Sequence, residues 1–142
     1  MMKRYNVAVF LFAMLVASTH LLASEPPTIT AISPPDGETG VSVVAIVSAT
    51  FSQAMEESTI TTSTFTVSDS SGAITGAVSY DATTNTATFT PDGVLVEGMT
   101  YTATVTTDIQ DKEGSHLASN FSWNFTVEKG GGGGCSLILR TR

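Results

Sequence analysis

Three carboxylates stand close together near the end of the chain and are the side chains best suited to bind a cation. Asp108, Asp111 and Glu113 fall within six residues, and carboxylate oxygens are ligands that Ca²⁺ prefers. The spacing departs from the EF-hand loop, which needs acidic residues at alternate positions and a Glu at its twelfth. Two interpretations stay open: a weak calcium site formed by all three, or an acidic hairpin in which Asp111 caps a turn closed by Gly114.

A second kind of chemistry, nucleophilic or zinc-dependent catalysis, would have to use His116. It is the one histidine beyond residue 23, and the nearest cysteine is the distant Cys135. A catalytic hydroxyl needs a base beside it and a group that orients the base, and no nucleophile-elbow motif accompanies His116. The usual zinc ligands are lacking as well. The sequence therefore predicts a protein that is not an enzyme and binds no cofactor other than calcium.

The single tryptophan offers a third possibility, because an aromatic ring on a sheet face can bind a sugar by apolar contact. Trp123 belongs to a series of apolar residues at every second position, with Phe121, Phe125 and Val127. The polar residues Ser122, Asn124 and Thr126 stand between them. In a strand, alternate residues face the same side. The pattern therefore predicts that Trp123 points into a hydrophobic core.

The C-terminal tail, residues 129–142, carries a glycine run and the only cysteine. Five glycines precede Cys135, and Leu137, Ile138 and Leu139 follow it. Such a glycine run predicts a disordered segment. The tail is similar to bacterial C-terminal sorting signals but lacks their membrane helix of about 20 residues, which excludes anchoring by a spanning helix. Two interpretations stay open: the tail is a shortened sorting signal, or it is a vestigial linker that carries a free thiol. We favour the shortened signal, with Cys135 exposed as a sorting or lipid-attachment site or as a thiol for intermolecular disulfides.

The N-terminus has the pattern of a secretory signal peptide over residues 1–23. Lys3 and Arg4 precede an apolar run, residues 7–17, and the small residues Ala23 and Ser24 offer a cleavage site. The run is too short to span a bilayer, which needs about 20 apolar residues. The sequence thus predicts export, a secreted or cell-surface location, and no membrane-spanning segment after cleavage.

The charge of the chain limits its partners. The formal net charge is −7, and between Glu25 and Lys129 there are 13 acidic residues and two lysines. A surface this acidic repels phosphate backbones, so nucleic acid is excluded as a partner. Because Cys135 has no partner within the chain, the fold must be stabilised by its hydrophobic core rather than by disulfides.

The elements that must position these residues are β-strands. Residues 45–51 alternate between apolar and polar side chains, and the same period of two returns at residues 65–67, 78–80, 87–89, 101–105 and 121–127. Together with residues 28–32 this makes about seven strands, separated by turn signals such as Pro91-Asp92-Gly93. The fold class predicted for residues 26–128 is all-β: an immunoglobulin-like, two-sheet antiparallel β-sandwich. Its predicted core consists of Val47, Phe51, Phe65, Phe89, Tyr101, Val105, Trp123 and Phe125.

Several sequence blocks between residues 26 and 127 resemble the bacterial immunoglobulin-like domains found in S-layer proteins. They are, in chain order, Ile32-Ser33-Pro34-Pro35-Asp36-Gly37, Thr50-Phe51-Ser52-Gln53-Ala54-Met55, Thr88-Phe89-Thr90-Pro91, Gly98-Met99-Thr100-Tyr101 and Trp123-Asn124-Phe125-Thr126. The resemblance implies a β-sandwich used in tandem or beside other domains in surface layers, adhesins and secreted enzymes, with no shared catalytic residues. Tyr101 also resembles the corner tyrosine whose hydroxyl ties a connection back to the backbone.

Two classes of function fit these observations. The first is a structural or spacer module of an exported surface protein, whose partners are other domains of that protein. The second is an adhesion module that binds a protein, a carbohydrate or another cell-wall or extracellular ligand through loop tips or an edge strand. A flat aromatic or threonine-rich patch on the surface would favour binding. The fold alone does not distinguish the two classes.

Overall fold

The computed structural model describes residues 24–131, which form two β-sheets packed face to face. The strands are β1 (Ile29–Ser33), β2 (Glu38–Val41), β3 (Val47–Phe51), β4 (Phe65–Asp69), β5 (Gly72–Ala73), β6 (Gly76–Asp81), β7 (Thr86–Pro91), β8 (Thr100–Val105) and β9 (Phe121–Val127). One sheet has the order β1-β3-β7-β6 and the other β2-β9-β8-β4-β5. The predicted all-β immunoglobulin-like sandwich is confirmed.

Alternation of side chains explains why these segments form strands that are buried on one face only. In β3, Val47, Ala49 and Phe51 are buried, whereas Ser48 and Thr50 are partly exposed. β-branched and aromatic residues suit this half-buried, pleated environment. The same period of two, read from the sequence, therefore places β3, β4, β7, β8 and β9 correctly with respect to the core.

The core lies between the sheets and is built around aromatic side chains. The ring of Phe65 lies 6.1 Å from that of Phe89 on the opposite sheet and 6.1 Å from that of Trp123 on its own sheet. Tyr101 stacks on Phe125 at 5.7 Å. All eight predicted core residues are buried: Val47, Phe51, Phe65, Phe89, Tyr101, Val105, Trp123 and Phe125. Such offset and tilted ring pairs add to the stabilisation from burial alone.

The chain changes sheets between β1 and β2. Residues 34–37 cross from one sheet to the other, and Gly37 turns with a φ of 79°, a conformation that favours glycine. The amide of Gly37 donates to the carbonyl of Asn124 (2.7 Å), and the amide of Asn124 donates to the carboxylate of Asp36 (2.9 Å). These two bonds fix the crossing against β9, so that β2 begins beside it.

The structure differs in two details from the antiparallel, seven-stranded arrangement expected from the sequence. β2 pairs with β9 in parallel, and the short strands β2 and β5 bring the total to nine among residues 24–131. Neither extra strand has an alternating pattern long enough to read: β2 is the four residues ETGV and β5 only two. Their extended conformation comes from pairing with longer strands: β2 pairs with β9, and β5 pairs with β4, at the two edges of the five-stranded sheet.

The corner tyrosine expected at the start of β8 is present. Tyr101 is buried, and its hydroxyl oxygen accepts the backbone N–H of Val96 at 2.9 Å. The connection between β7 and β8 is therefore tied to the core five residues before the tyrosine itself. This is the geometry that a tyrosine corner provides in immunoglobulin-like sandwiches.

We expect Tyr101→Phe to lower the free energy of unfolding by about 1–2 kcal/mol, because the Val96 N–H loses its acceptor while the ring stays in place. Urea unfolding followed by tryptophan fluorescence measures the change. Val96→Ala is the control, since it keeps the backbone N–H and shortens an exposed side chain; it should stay within about 0.5 kcal/mol of the parent. Equal losses in the two variants would contradict this role of the hydroxyl.

Candidate functional site

The acidic segment before β9 is organised around Asp111, which is the one buried charged side chain among residues 24–131, with 3% of its surface exposed. One carboxylate oxygen accepts the backbone N–H groups of Glu113 and Ser115, each at 2.8 Å. The other accepts the side-chain amide of Gln53 from the connection after β3. The amide of Gly114 also donates to the Asp111 carbonyl at 3.1 Å. Asp111 therefore caps a turn that Gly114 closes.

These contacts shift the acidity of Asp111. Burial alone would raise its pKa, because it disfavours the charged form. The N–H groups of Ser115 and Glu113 and the amide of Gln53 act in the opposite direction, and their combined effect is larger, so the pKa of Asp111 lies below its ordinary value. The side chain is therefore ionised at neutral pH and holds the turn as a carboxylate.

The other two candidate ligands serve different contacts. Asp108 is exposed, and the carboxylate of Glu113 accepts the hydroxyl of Ser24 at 2.6 Å. In the part of the chain that the structure describes, no group of three or more His, Cys, Asp or Glu side chains is placed to hold a metal ion. The acidic-hairpin interpretation fits this geometry, and weak calcium affinity at Asp108, Asp111 and Glu113 stays a prediction.

For calcium we expect a dissociation constant no lower than about 10⁻⁶ M. The reason is that both carboxylate oxygens of Asp111 already accept hydrogen bonds, one from the turn and the other from Gln53. Titration calorimetry of the purified protein with CaCl₂ measures the dissociation constant. The variant to compare carries Asp108→Asn and Glu113→Gln, two exposed positions whose change leaves the buried turn intact. Tighter binding that disappears in this double variant would show that the three carboxylates do form a site.

His116 is an exposed residue of the connection between β8 and β9. Its Nδ1 lies 2.7 Å from the carbonyl oxygen of Thr107, to which it donates because a carbonyl can only accept. Its Nε2 lies 3.2 Å from the side-chain nitrogen of Gln110. Both ring nitrogens therefore hold the loop between β8 and β9 together, and neither is directed at a hydroxyl that it could activate.

Trp123 is buried, with 1% of its surface exposed, which confirms its predicted place in the core. A sugar cannot stack on a ring in that position. Its indole Nε1 has no hydrogen-bond partner within residues 24–131. The side chain therefore contributes apolar contact and volume rather than a polar function.

The outer face of the five-stranded sheet carries uncharged polar side chains in rows, and we call it the hydroxyl face. Three strand-to-strand rows follow from the register of β4, β8, β9 and β2. The rows are Thr66, Thr104 and Ser122; Ser68, Thr102 and Asn124; and Thr100, Thr126 and Thr39. Their side chains bond to each other: Thr100 to Thr126 at 2.9 Å, Thr102 to Asn124 at 2.7 Å, and Thr104 to Ser122 at 2.9 Å.

Charged side chains are kept away from the sheet faces. Residues 24–131 hold 13 acidic residues and two lysines, a net charge of 2 − 13 = −11. Within that range every acidic residue lies in a connection, in the 3-10 turn Glu57–Thr59, or at the first or last position of a strand. The two ends of the sandwich are therefore acidic, while its flat faces are neutral.

One end of the sandwich also exposes apolar side chains, which form what we call the apolar end surface: Val44, Ile46, Val94 and Val96. Val44 and Val94 have 70% and 71% of their surface exposed. They come from two connections that touch directly, since the amide of Leu95 donates to the carbonyl of Val43 at 2.7 Å. Val44, Ile46 and Val94 line a shallow hollow of about 360 Å³. A contiguous apolar surface is more informative than scattered exposed valines.

Sequence reasoning misses both surfaces for the same reason, which is that each unites distant segments. A partial signal was available for the hydroxyl face, because Thr100, Thr102 and Thr104 stand at alternate positions. For the end surface the signal was the run Val94-Leu95-Val96, in which Leu95 is buried and both valines are exposed. Pairing that run with Val44 and Ile46 requires the structure.

The predicted signal peptide (residues 1–23) and Cys135 lie outside the described residues. Within residues 24–131, no helix has the length and apolar character needed to cross a membrane.

Comparison with known proteins supports the fold. Surface layer protein SbsC, domains 1–6, is 18% identical with a TM-score of 0.56; the match covers 74% of this chain and 14% of that one. CopC from Methylosinus trichosporium OB3b is 15% identical with a TM-score of 0.59, covering 73% of this chain and 95% of CopC. Native E. coli alpha-2-macroglobulin is 16% identical with a TM-score of 0.57, and the match covers 75% of this chain and 6% of that one. At these identities the likeness shows the fold alone.

The sequence comparison is more specific. No curated protein matches this chain significantly. The model of a family described as the bacterial Ig-like domain matches residues 23–127, which is most of the 142-residue chain and includes all nine strands. The chain spans 14% of the SbsC structure that it matches. The chain belongs to the bacterial Ig-like domain family.

Proposed function

We propose that this domain is a non-catalytic spacer module of an exported bacterial surface or secreted protein. The observation that carries the proposal is the position of Ser24 and Gly130, which lie at the two ends of the described segment. The hydroxyl of Ser24 bonds to Glu113, in the connection after β8, and the amide of Gly130 bonds to Glu97 (3.1 Å), in the connection before β8. β8 has six residues, about 20 Å. The chain thus enters at one end of the sandwich and leaves at the other.

Two further observations support a spacer. The hydroxyl groups of the hydroxyl face bond to each other, so the sheet is stabilised across its strands without a ligand. The ionisable groups that the structure describes are used in turns, as Asp111 is, or are exposed. Export is supported by the signal-peptide pattern of residues 1–23 and by the S-layer protein among the proteins of similar fold.

A second candidate function is adhesion through the hydroxyl face. A threonine-rich patch on the surface is a feature that favours binding over spacing, and this one has nine neutral side chains on a domain whose net charge is −11. An uncharged polymer rich in hydroxyl groups, such as a cell-wall or extracellular polysaccharide, matches it chemically because it brings neither charge nor a need for apolar contact. Loop tips and edge strands are the other surfaces through which such a module binds.

One experiment distinguishes the spacer function from adhesion through the hydroxyl face. The full chain, Thr102→Glu and Thr88→Glu are expressed with their leader in a bacterial host, and the amount found in the medium, on cells and with purified cell walls is measured. Thr102 is central on the hydroxyl face, and Thr88 is the matched position at the centre of the other sheet. A spacer predicts export and equal distribution of all three proteins.

Two outcomes would contradict the spacer proposal. Selective loss of cell-wall association in Thr102→Glu, with Thr88→Glu unchanged, would show that the hydroxyl face binds. Retention of intact protein with its leader in the cytoplasm would show that the chain is not exported. Thermal unfolding of both variants verifies that the added charge has not unfolded the domain.

A further inference from the structure

The apolar end surface leaves four aliphatic side chains more than half exposed to water in two adjoining connections. Val44 and Ile46 approach from the connection between β2 and β3, and Val94 and Val96 from the connection between β7 and β8. Covering such a surface is favourable because it removes apolar area from water. A segment that covers this surface must lie close to it and carry apolar side chains.

The chain leaves the sandwich at this end. After β9, the amide of Glu128 donates to the carbonyl of Val41 at 2.8 Å. The amide of Gly130 then donates to the carboxylate of Glu97 at 3.1 Å, and Glu97 directly follows Val96. The segment that follows, residues 132–142, therefore starts beside the apolar end surface.

The composition of that segment complements the surface. Leu137, Ile138 and Leu139 form its apolar part, and Arg140 and Arg142 come next. The end of the sandwich carries acidic residues around the valines, among them Asp92 and Glu97. An apolar triplet followed by two cations thus meets an apolar surface with an acidic rim.

The glycine run gives the segment sufficient reach. Leu137 is six positions beyond Gly131, which allows a separation of up to about 20 Å. Because the segment is tethered, its effective concentration at the surface is on the order of millimolar. A contact too weak to hold two separate molecules is therefore enough within one chain.

We propose that Leu137, Ile138 and Leu139 dock on the apolar end surface of the same chain, with Arg140 and Arg142 beside its acidic rim. The tail then shields the exposed valines and holds Cys135 near the connection between β7 and β8. The other occupants of this surface, a second copy of the chain or no occupant at all, are separate outcomes of the test.

Disulfide trapping with the native Cys135 tests the proposal. Gly93→Cys places a thiol at the hollow without altering any of the four apolar residues, and a Cβ at Gly93 meets nothing within 4 Å. Lys112→Cys, in the connection at the opposite end, is the matched exposed control. The exported full chain is oxidised with a mild disulfide reagent at low protein concentration, and the intrachain disulfide is quantified by peptide mapping.

Docking and mere proximity are separated by a second variant, Gly93→Cys with Leu137, Ile138 and Leu139 changed to Ser, which keeps the tether and removes the apolar triplet. We expect the intrachain disulfide to form about tenfold faster in Gly93→Cys than in the variant without the apolar triplet. The ratio of the Gly93→Cys rate to the Lys112→Cys rate should be larger than tenfold. Equal rates with and without the triplet would overturn the proposal. Concentration-dependent disulfides between chains would overturn it in favour of a second copy.

Discussion

Replacing Trp123 by Ala is expected to lower the free energy of unfolding by about 3–5 kcal/mol, which is enough to unfold a marginally stable domain. The reason is the position of the ring at the centre of the core. Its centroid lies 6.1 Å from that of Phe65 and 5.8 Å from that of Phe121, so its removal leaves a cavity that both neighbours face. Urea unfolding followed by circular dichroism measures the loss.

Trp123→Phe is the matched variant, and it keeps the prediction testable if Trp123→Ala does not fold. It preserves most of the apolar contact and removes an indole N–H that has no partner in the described residues. A buried polar group without a partner is itself unfavourable, which offsets part of the lost volume. We expect a cost of about 1–2 kcal/mol for Trp123→Phe. Costs of similar size in the two variants would show that the ring does not fill the core.

The second large effect concerns Asp111. We expect Asp111→Ala to cost about 2–4 kcal/mol, because it leaves the N–H groups of Glu113 and Ser115 and the amide of Gln53 without their acceptor. The exposed Asp108 provides the control, and Asp108→Ala should change stability by no more than about 0.5 kcal/mol. Urea unfolding at pH 7 measures both variants.

The contribution of Asp111 should also depend on pH, with a definite sign. Its folded-state pKa is lowered, so its stabilising effect is fully present above the pKa of the unfolded state, about 3.9, and is lost as the pH falls through the folded-state value. The difference in unfolding free energy between the parent and Asp111→Ala should therefore shrink below about pH 4. A difference that stays constant from pH 7 to the acid limit would contradict the role given to the carboxylate.

Much of the fold could be predicted because large apolar residues recur with a period of two. In β9 this pattern alone places Trp123, Phe125 and Val127 in the core, where they are buried. The pattern does not reveal β2, whose hydrogen bonds depend on β9, nor its parallel direction. That direction follows from the crossing at residues 34–37, which is fixed by contacts with a strand almost 90 residues away in sequence.

The candidate site was predictable where its chemistry is local. Asp111 and Gly114 are three residues apart, so a capped turn could be inferred from spacing. Gln53, which completes the set of donors to Asp111, comes from the other side of the sandwich and leaves no local pattern in the sequence. The apolar end surface was not predictable for the same physical reason, since it depends on two connections about 50 residues apart being hydrogen-bonded together.

The parallel pairing of β2 with β9 determines how the domain responds to a mechanical load. Tension between the two chain ends reaches the sandwich through β1 and β2 on one side and through β9 on the other. Because β2 and β9 run in the same direction, such a pull slides them past each other along their common axis. The hydrogen bonds between parallel strands are evenly spaced along the pair, so under this sliding load they share the force and fail together rather than opening one after another. Resistance to stretching therefore depends on the four residues of β2 and on the bonds that they make to β9.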